Sequence, residues 1–271
     1  MPATPRPMIG VFDSGLGGLS VLGALAETCP SADLVYAADT AYVPYGNKTP
    51  EQIRARVLAM GQALINEGCT TLVVACNTAT AEAIEALRAT HPNIPIVGVE
   101  PGIKPAALNT QSGKIAVLAT AATAKSQRLA QLIARHAPNK TVHIIPCHGW
   151  ATEVEALNLK APSVIAEIQA HLLPLIHEGV DQIVLGCTHY DFLAPTISKL
   201  IGGKAQLVGV AGAVARQACK VANAEALSGT GSVRLLATAN QERLKDALPA
   251  LGLNSLEKRL AGDPQHLTTT R

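Results

Sequence analysis

Short apolar runs alternate with helical stretches along nearly all of this 271-residue chain, and that alternation leaves few architectures open. Runs at 9–12, 34–38, 72–75, 94–99, 115–119, 142–145, 183–185, 205–210 and 233–237 are apolar almost throughout. A strand that alternates apolar and polar residues keeps one face wet. A strand apolar on both faces must be covered twice, which is the condition of a parallel sheet between two helical layers. The segments in between carry helix punctuation: 49–67 has Pro50 and Glu51 in its first turn and stops at Gly68, and 162–177 starts at Pro162 and stops before Gly179. The expected class is α/β, with mostly parallel sheets flanked by helices.

The alternation contains a repeat. Glu67-Gly68 followed by Leu72 through Thr78 matches Glu178-Gly179 followed by Ile183 through His189 in register, at an offset of 111, and sets Cys76 against Cys187. A weaker echo at an offset of 106 sets the run from Ile9 against the run from Ile115, and with it Asp13 against Ala119. Two similar lobes follow, joined near 99–105, where Pro101, Gly102 and Pro105 interrupt helix. Ligands of open parallel sheets bind beyond the carboxyl ends of strands, so the halves are expected to face each other with one cysteine on each wall of a cleft. A strand near Leu207 and the C-terminal segment are expected to return to the first lobe.

Composition removes several functions. The 22 basic residues are scattered singly and the formal net charge is +2, so neither nucleic acid nor a membrane surface is an expected partner. No stretch approaches the ~18 apolar residues of a membrane helix, and the Pro-rich start, Met1 to Met8, has no apolar signal segment. The expected location is the cytoplasm. There Cys29, Cys69, Cys76, Cys147, Cys187 and Cys219, with no C-x-x-C pair, read as free thiols.

The chemistry-bearing residues lie at the strand ends. Asp13-Ser14-Gly15-Leu16-Gly17-Gly18 opens a helix, and its glycines let backbone amides crowd an anion. As a dinucleotide fingerprint it has Ser20 where the third glycine belongs, although Asp39 lies at a ribose-contact spacing. Asp13 would repel a phosphate, so it reads either as an acid-base or orienting group or as a helix cap. One cysteine alone is most simply a small buried hydrophobe. Two at equivalent strand ends, each entering a helix and followed by Asn77-Thr78 or Thr188-His189, read as thiols tuned by their surroundings. His189 is spaced to assist Cys187, to donate a proton, or simply to pack. Cys147-His148 and Cys187-His189 give C-H and C-x-H spacings, not the usual zinc pairs, so no metal is expected. The loop from Tyr42 to Asn47 is a turn or a substrate loop. Glu153 and Glu155 are exposed helix acids, or one of them is a second carboxylate in the cleft.

Val11-Phe12-Asp13-Ser14-Gly15-Leu16-Gly17-Gly18, Pro44-Tyr45-Gly46, Ala75-Cys76-Asn77-Thr78-Ala79, Gly98-Val99-Glu100-Pro101 and Gly186-Cys187-Thr188-His189-Tyr190 stand in an order that closely resembles the glutamate racemases, of the cofactor-independent aspartate/glutamate racemase superfamily. The resemblance covers most of the chain. It implies interconversion of L- and D-glutamate for bacterial peptidoglycan, without metal or pyridoxal phosphate. It implies two α/β lobes with the C-terminal part returning to the first, which sets the expected domains at 1–98 plus 207–271 and at 99–206. Carried over, Cys76 and Cys187 are the catalytic bases, Asp13 assists the first and His189 the second. Asp13, Ser14, Pro44, Tyr45, Gly46, Asn77, Thr78, Thr120, Thr123, Thr188 and His189 fall at substrate-holding positions. Glu155 falls where a family acid follows the cysteine matching Cys147, although His148 to Thr152 depart from the usual Pro-rich run. Asp191 stands where the family usually has Pro, and Gly209-Val210 where an acid followed by Ser or Pro is common. Relatives are often dimers, so a homodimer is compatible with the resemblance.

The physical logic is the same without the resemblance. Inverting a stereocentre by proton transfer needs a base on one face of the α-carbon and an acid on the other, and a duplicated lobe with one thiol per half supplies both. Aspartate is the runner-up substrate. A nicotinamide dehydrogenase and a two-lobe binding protein for an acidic metabolite are the competing classes, and the paired thiols have no use in the latter.

Overall fold

The computed structural model describes residues 6–224 and 229–269. Part of the Pro-rich start, residues 1–5, lies outside them, as do 225–228 and 270–271 of the expected first domain. The strands are β1 Met8–Asp13, β2 Asp33–Ala38, β3 Thr71–Val74, β4 Ile96–Gly98, β5 Lys114–Ala119, β6 Thr141–Pro146, β7 Gln182–Gly186, β8 Gln206–Val208, β9 Val233–Ala237 and β10 Gln265–His266. The helices are α1 Leu19–Thr28, α2 Pro50–Asn66, α3 Asn77–Thr90, α4 Ile103–Asn109, α5 Ala121–Lys125, α6 Gln127–His136, α7 Trp150–Glu155, α8 Pro162–His177, α9 Ala194–Ile201, α10 Ala211–Val221, α11 Glu242–Ala250 and α12 Asn254–Glu257. They surround two sheets, ordered β10-β9-β2-β1-β3-β4 and β6-β5-β7-β8, in which every paired strand is parallel.

The two-residue period of a strand explains why both faces are apolar. On one face of the first sheet Ile9, Val11, Leu34 and Tyr36 pack on α1, α10 and α11. On the other Phe12, Val35 and Ala37 pack on α2 and α3. The second sheet divides likewise, Leu118 and Leu185 toward α8 and α9, Val117 and Val184 toward α4 and α6. At roughly 1.5–3 kcal/mol per fully buried large apolar side chain, these double-sided strands dominate the favourable energy of the fold. Helix starts follow the sequence signals. Thr49 caps α2 in a reciprocal box with Gln52, ahead of Pro50.

Three expectations are corrected. Leu207 does not return to the first sheet: β8 pairs with β7, Ile183 opposite Leu207, because the open edge of β7 takes up the next short apolar run. The return therefore begins with α10, and a boundary at 207 cuts through β8. The six cysteines are not all free. Cys29 at the end of α1 and Cys219 on α10 form a disulfide, their Cα atoms 5.9 Å apart, because α10 packs along α1 in one core. Lastly, Thr188–Leu193 is a 3-10 turn, not the start of an α-helix, so the two cysteines enter different kinds of turn. Among the described residues no helix is long and apolar enough to cross a membrane.

Candidate active site

Cys76 and Cys187 end β3 and β7 and line one small cleft together with Ser14, Tyr45, Asn77, Thr78, Thr120 and His189. Pro44 and Gly46 line the same cleft and Thr188 and Thr123 stand behind it. Strand order delivers the groups. β1, β2 and β3 bring Asp13, Asp39 and Cys76 to one carboxyl edge, and β5 and β7 bring Thr120 and Cys187 to the facing edge.

The thiols have different neighbours. Cys76 is the N-cap of α3, its sulfur accepting from the Ala79 N–H at 3.5 Å. Burial pushes its thiol well above the ordinary range, and the charges of Asp13 and Cys187 add to the rise against the Ala79 and Ser14 donors. Cys187 has no such cap. Its sulfur lies 3.7 Å from His189 Nδ1. Burial alone would drive the imidazole neutral, but hydrogen bonds to Cys187 and Glu155, with the Cys187 and Asp13 charges, outweigh it and hold His189 well above its usual range. The protonated form of His189 is thus favoured beside the Cys187 sulfur.

Glu155 reaches this cluster. Its Oε1 lies 2.6 Å from His189 Nε2 and accepts from the Leu16 N–H at 2.6 Å. The glycine turn after β1 does bind an anion, and the anion is a carboxylate of the protein itself. Glycine is needed for that approach: a Cβ on Gly15 would meet the Glu155 carboxylate, and one on Gly17 the His189 ring and Thr188 hydroxyl. Trp150 fixes α7, buried edge-on against Tyr190 with its Nε1 donating to Glu167 at 3.0 Å, while Arg243 donates to the Glu155 carbonyl. Glu153, in contrast, hydrogen-bonds Asn158 at an exposed position.

Asp13 is fully buried and bridges the lobes. It accepts from the Ser14 N–H and hydroxyl, and from the Thr188 hydroxyl at 3.0 Å. Burial raises its carboxyl above the ordinary range; the His189 charge opposes that and the Glu155 charge adds to it. Its direct hydrogen bonds go to Ser14 and Thr188; toward Cys76 it acts through charge. Thr78, Thr120 and Thr123 form a hydroxyl cluster across the seam, with contacts of 3.1 to 3.4 Å. Asn77 is buried, and among the described residues neither its Oδ1 nor its Nδ2 has a hydrogen-bond partner. A buried amide left unpaired costs about 1–3 kcal/mol, so Asn77 is the position at which a polar ligand gains most.

The sequence left two contributors unassigned. The Leu16 N–H that holds Glu155 is a backbone group, invisible in residue types. Tyr36, read only as strand, donates its hydroxyl to the Gly15 carbonyl at 2.5 Å and stiffens the turn. Asp191 and Gly209, the two departures from the family pattern, meet: a Cβ on Gly209 would sit 3.2 Å from Asp191 Oδ1. Asp191 hydrogen-bonds Ser20 on α1, and burial pushes its carboxyl up to about 6.

Two parallel sheets that each deliver a thiol to one small cleft, with an acid near one and an imidazole beside the other, define a two-lobed α/β protein with its candidate site at the facing strand ends. The chain belongs to the Asp/Glu/Hydantoin racemase family, which it matches over residues 9–218. It is 43% identical to a glutamate racemase of Pseudomonas aeruginosa, over 92% of this chain and 95% of that one. Its fold is that of the Escherichia coli glutamate racemase solved with L-glutamate and the activator UDP-MurNAc-Ala, at a TM-score of 0.82 and 29% identity, covering 98% of this chain and 100% of that one. The aspartate racemase of Picrophilus torridus, at 17% identity and a TM-score of 0.50, shares the fold alone.

Proposed function

We propose that this protein is a glutamate racemase, interconverting L- and D-glutamate by proton transfer between Cys76 and Cys187, and that it works in the cytoplasm to supply D-glutamate for peptidoglycan. The observation that carries the reading is the pair of thiols lining one cleft from two different sheets. Glutamate is favoured over aspartate by the 43% identity to a glutamate racemase across nearly the whole chain.

The geometry supports an asymmetric pair. With L-glutamate, Cys187 as thiolate takes the α-hydrogen, its negative charge matched by the imidazolium of His189 at 3.7 Å. Cys76, held as a thiol by burial and the nearby Asp13 charge, returns a proton to the opposite face and becomes the thiolate. With D-glutamate the transfers run backwards, and Asp13, whose carboxyl is raised by burial, is the base near Cys76. The developing carbanion needs oriented donors in a site that excludes water. Ser14, Asn77, Thr78 and Thr188 are the donors around the cleft, and Asn77 is already desolvated and unpaired. Glu155 is a positioning residue, since it touches His189 and not the cleft between the sulfurs. The free volume of the cleft is about 20 Å3, room for about one water, so the lobes, taken as 1–98 with the chain after β8 and the segment between, part to admit glutamate.

The test is handedness in single-cysteine variants. In deuterium oxide, Cys76→Ala should lose racemisation and exchange the α-hydrogen of L-glutamate only, and Cys187→Ala should exchange D-glutamate only. A variant that racemises near the wild-type rate, or exchanges both enantiomers equally, would overturn the two-thiol reading. Unchanged optical activity of glutamate with wild-type protein, alongside turnover of aspartate, would overturn the substrate.

A further inference from the structure

Asp39 has the spacing of a ribose-binding acid, yet its carboxylate is committed elsewhere. It is fully buried just beyond β2 and takes four donors: the Tyr45 hydroxyl at 2.6 Å, Arg56 Nε at 2.8 Å, Arg56 Nη2 at 2.9 Å and the Thr238 hydroxyl at 2.9 Å. A buried carboxylate this well matched, with a bidentate arginine, is a rigid fixture. Its backbone N–H continues the sheet ladder to the Asp13 carbonyl at 2.9 Å, so the fixture stands beside the catalytic acid.

The groups it holds belong to one loop. Tyr42 donates its N–H to the Asp39 carbonyl at 2.9 Å, and its ring lies under the Arg56 guanidinium at 4.1 Å. Tyr45 is bound at its hydroxyl, with its buried ring in one cluster with Cys76. The loop between them carries Pro44 into the cleft wall. Arg56 also donates to the Thr269 hydroxyl at 3.0 Å, and Leu267 is buried in the same cluster as Tyr45. The C-terminal segment therefore reaches the substrate wall through Arg56 and through the cluster that Leu267 shares with Tyr45.

We propose that Asp39 and Arg56 are the positioning pair that fixes the Pro44–Tyr45–Gly46 wall against the substrate, and that Thr269 on the C-terminal segment completes it. The inference rests on the racemase reading, because the wall matters only if the cleft holds glutamate. A pair that shapes the binding wall without touching the reacting atoms acts on affinity. Removing it should raise KM, leave kcat nearly intact, and leave the α-deuterium isotope effect unchanged for either enantiomer. A purely structural pair would do the reverse, lowering apparent kcat by shrinking the active fraction at unchanged KM.

The experiment measures kcat, KM and isotope effects with L- and D-glutamate for wild type, Asp39→Asn, Arg56→Lys, Tyr45→Phe and Thr269→Val. Asp39→Asn should raise KM by about ten- to a hundredfold, the scale of small misplacements in a site. Arg56→Lys keeps the charge but not the fork, and should follow it. Tyr45→Phe deletes one donor with the rest of the cluster in place, so it reads the same coupling if Asp39→Asn does not fold. Thr269→Val should raise KM about two- to threefold, as loss of one hydrogen bond at one remove. Unchanged KM in Arg56→Lys and Tyr45→Phe, or a fall in kcat alone, overturns the proposal while leaving the racemase reading in place. Wild-type protein inactive on glutamate overturns both.

Discussion

Asp191→Asn should make the protein more stable at alkaline pH and leave it unchanged in acid. The wild-type carboxyl is pushed by burial to about 6 from an ordinary 3.8. Between those values the native state binds more protons than the unfolded chain, so stability falls as pH rises, and the full penalty is present above about pH 6. A gap of about two units corresponds to about 3 kcal/mol. The side chain keeps some solvent contact, and screening there reduces the penalty to on the order of 1–2 kcal/mol. Asparagine cannot ionise, and its carbonyl oxygen still accepts from Ser20. Urea unfolding followed by far-UV circular dichroism should therefore give Asp191→Asn the higher midpoint at about pH 8 and coincident midpoints at about pH 4. No gain at the higher pH, or the same gain at both, would refute burial as the origin of the shift.

In the proposed mechanism thiols move the protons, so chelation should leave racemisation intact, whereas a thiol alkylating agent should abolish it and saturating glutamate should protect; loss with EDTA and return with zinc would contradict the assignment. Asp13→Asn should slow the reaction about 10²- to 10⁴-fold and enlarge the isotope effect with α-deuterated D-glutamate, and His189→Asn should do so with L-glutamate. Because the enantiomers are of equal energy, kcat/KM falls equally in both directions and only the isotope effects separate the helpers. Glu155→Gln takes the charge out of the hydrogen bond that raises His189, so the alkaline limb of the rate profile should move to lower pH; an unmoved limb would show that Glu155 does not set that proton.

What was legible in the sequence is what local periodicity encodes. The nine apolar runs are β1 through β9, because the inner strands are covered on both faces and have to be apolar nearly throughout, while the edge strands β6 and β8 keep the pattern although partly exposed. β10 escaped, being two residues long and exposed at the sheet edge. The paired cysteines were legible because the repeat sets them in register. Glu155 could be placed only weakly, since its partners are a backbone N–H 139 residues away and an imidazole 34 residues away. The disulfide joins residues 190 apart with nothing local to mark it. Asp39 was misleading for a physical reason. Its spacing from the glycine turn follows from the lengths of α1 and β2, which any β-α-β unit shares, whereas its role depends on Arg56, Thr238 and Thr269 from other elements.

The repeat explains the two thiols, and its failures explain why they are not equivalent. Where the first lobe has Asp13 the second has Ala119, and where the second has His189 the first has Thr78. In the proposed mechanism each substitution gives one thiol its own helper, the Asp13 carboxyl for Cys76 and the His189 imidazole for Cys187. Exact symmetry would have placed two carboxyls or two imidazoliums around one α-carbon, and both thiols would then favour the same protonation state. A proton transfer across the substrate needs them to differ at every moment, one carrying the proton and the other ready to take it. The side-chain contacts across the seam, Thr188 to Asp13 at 3.0 Å and Thr78 to Thr120 at 3.1 Å, tie the two environments together, so that in the proposed mechanism neither helper is set independently of the other lobe.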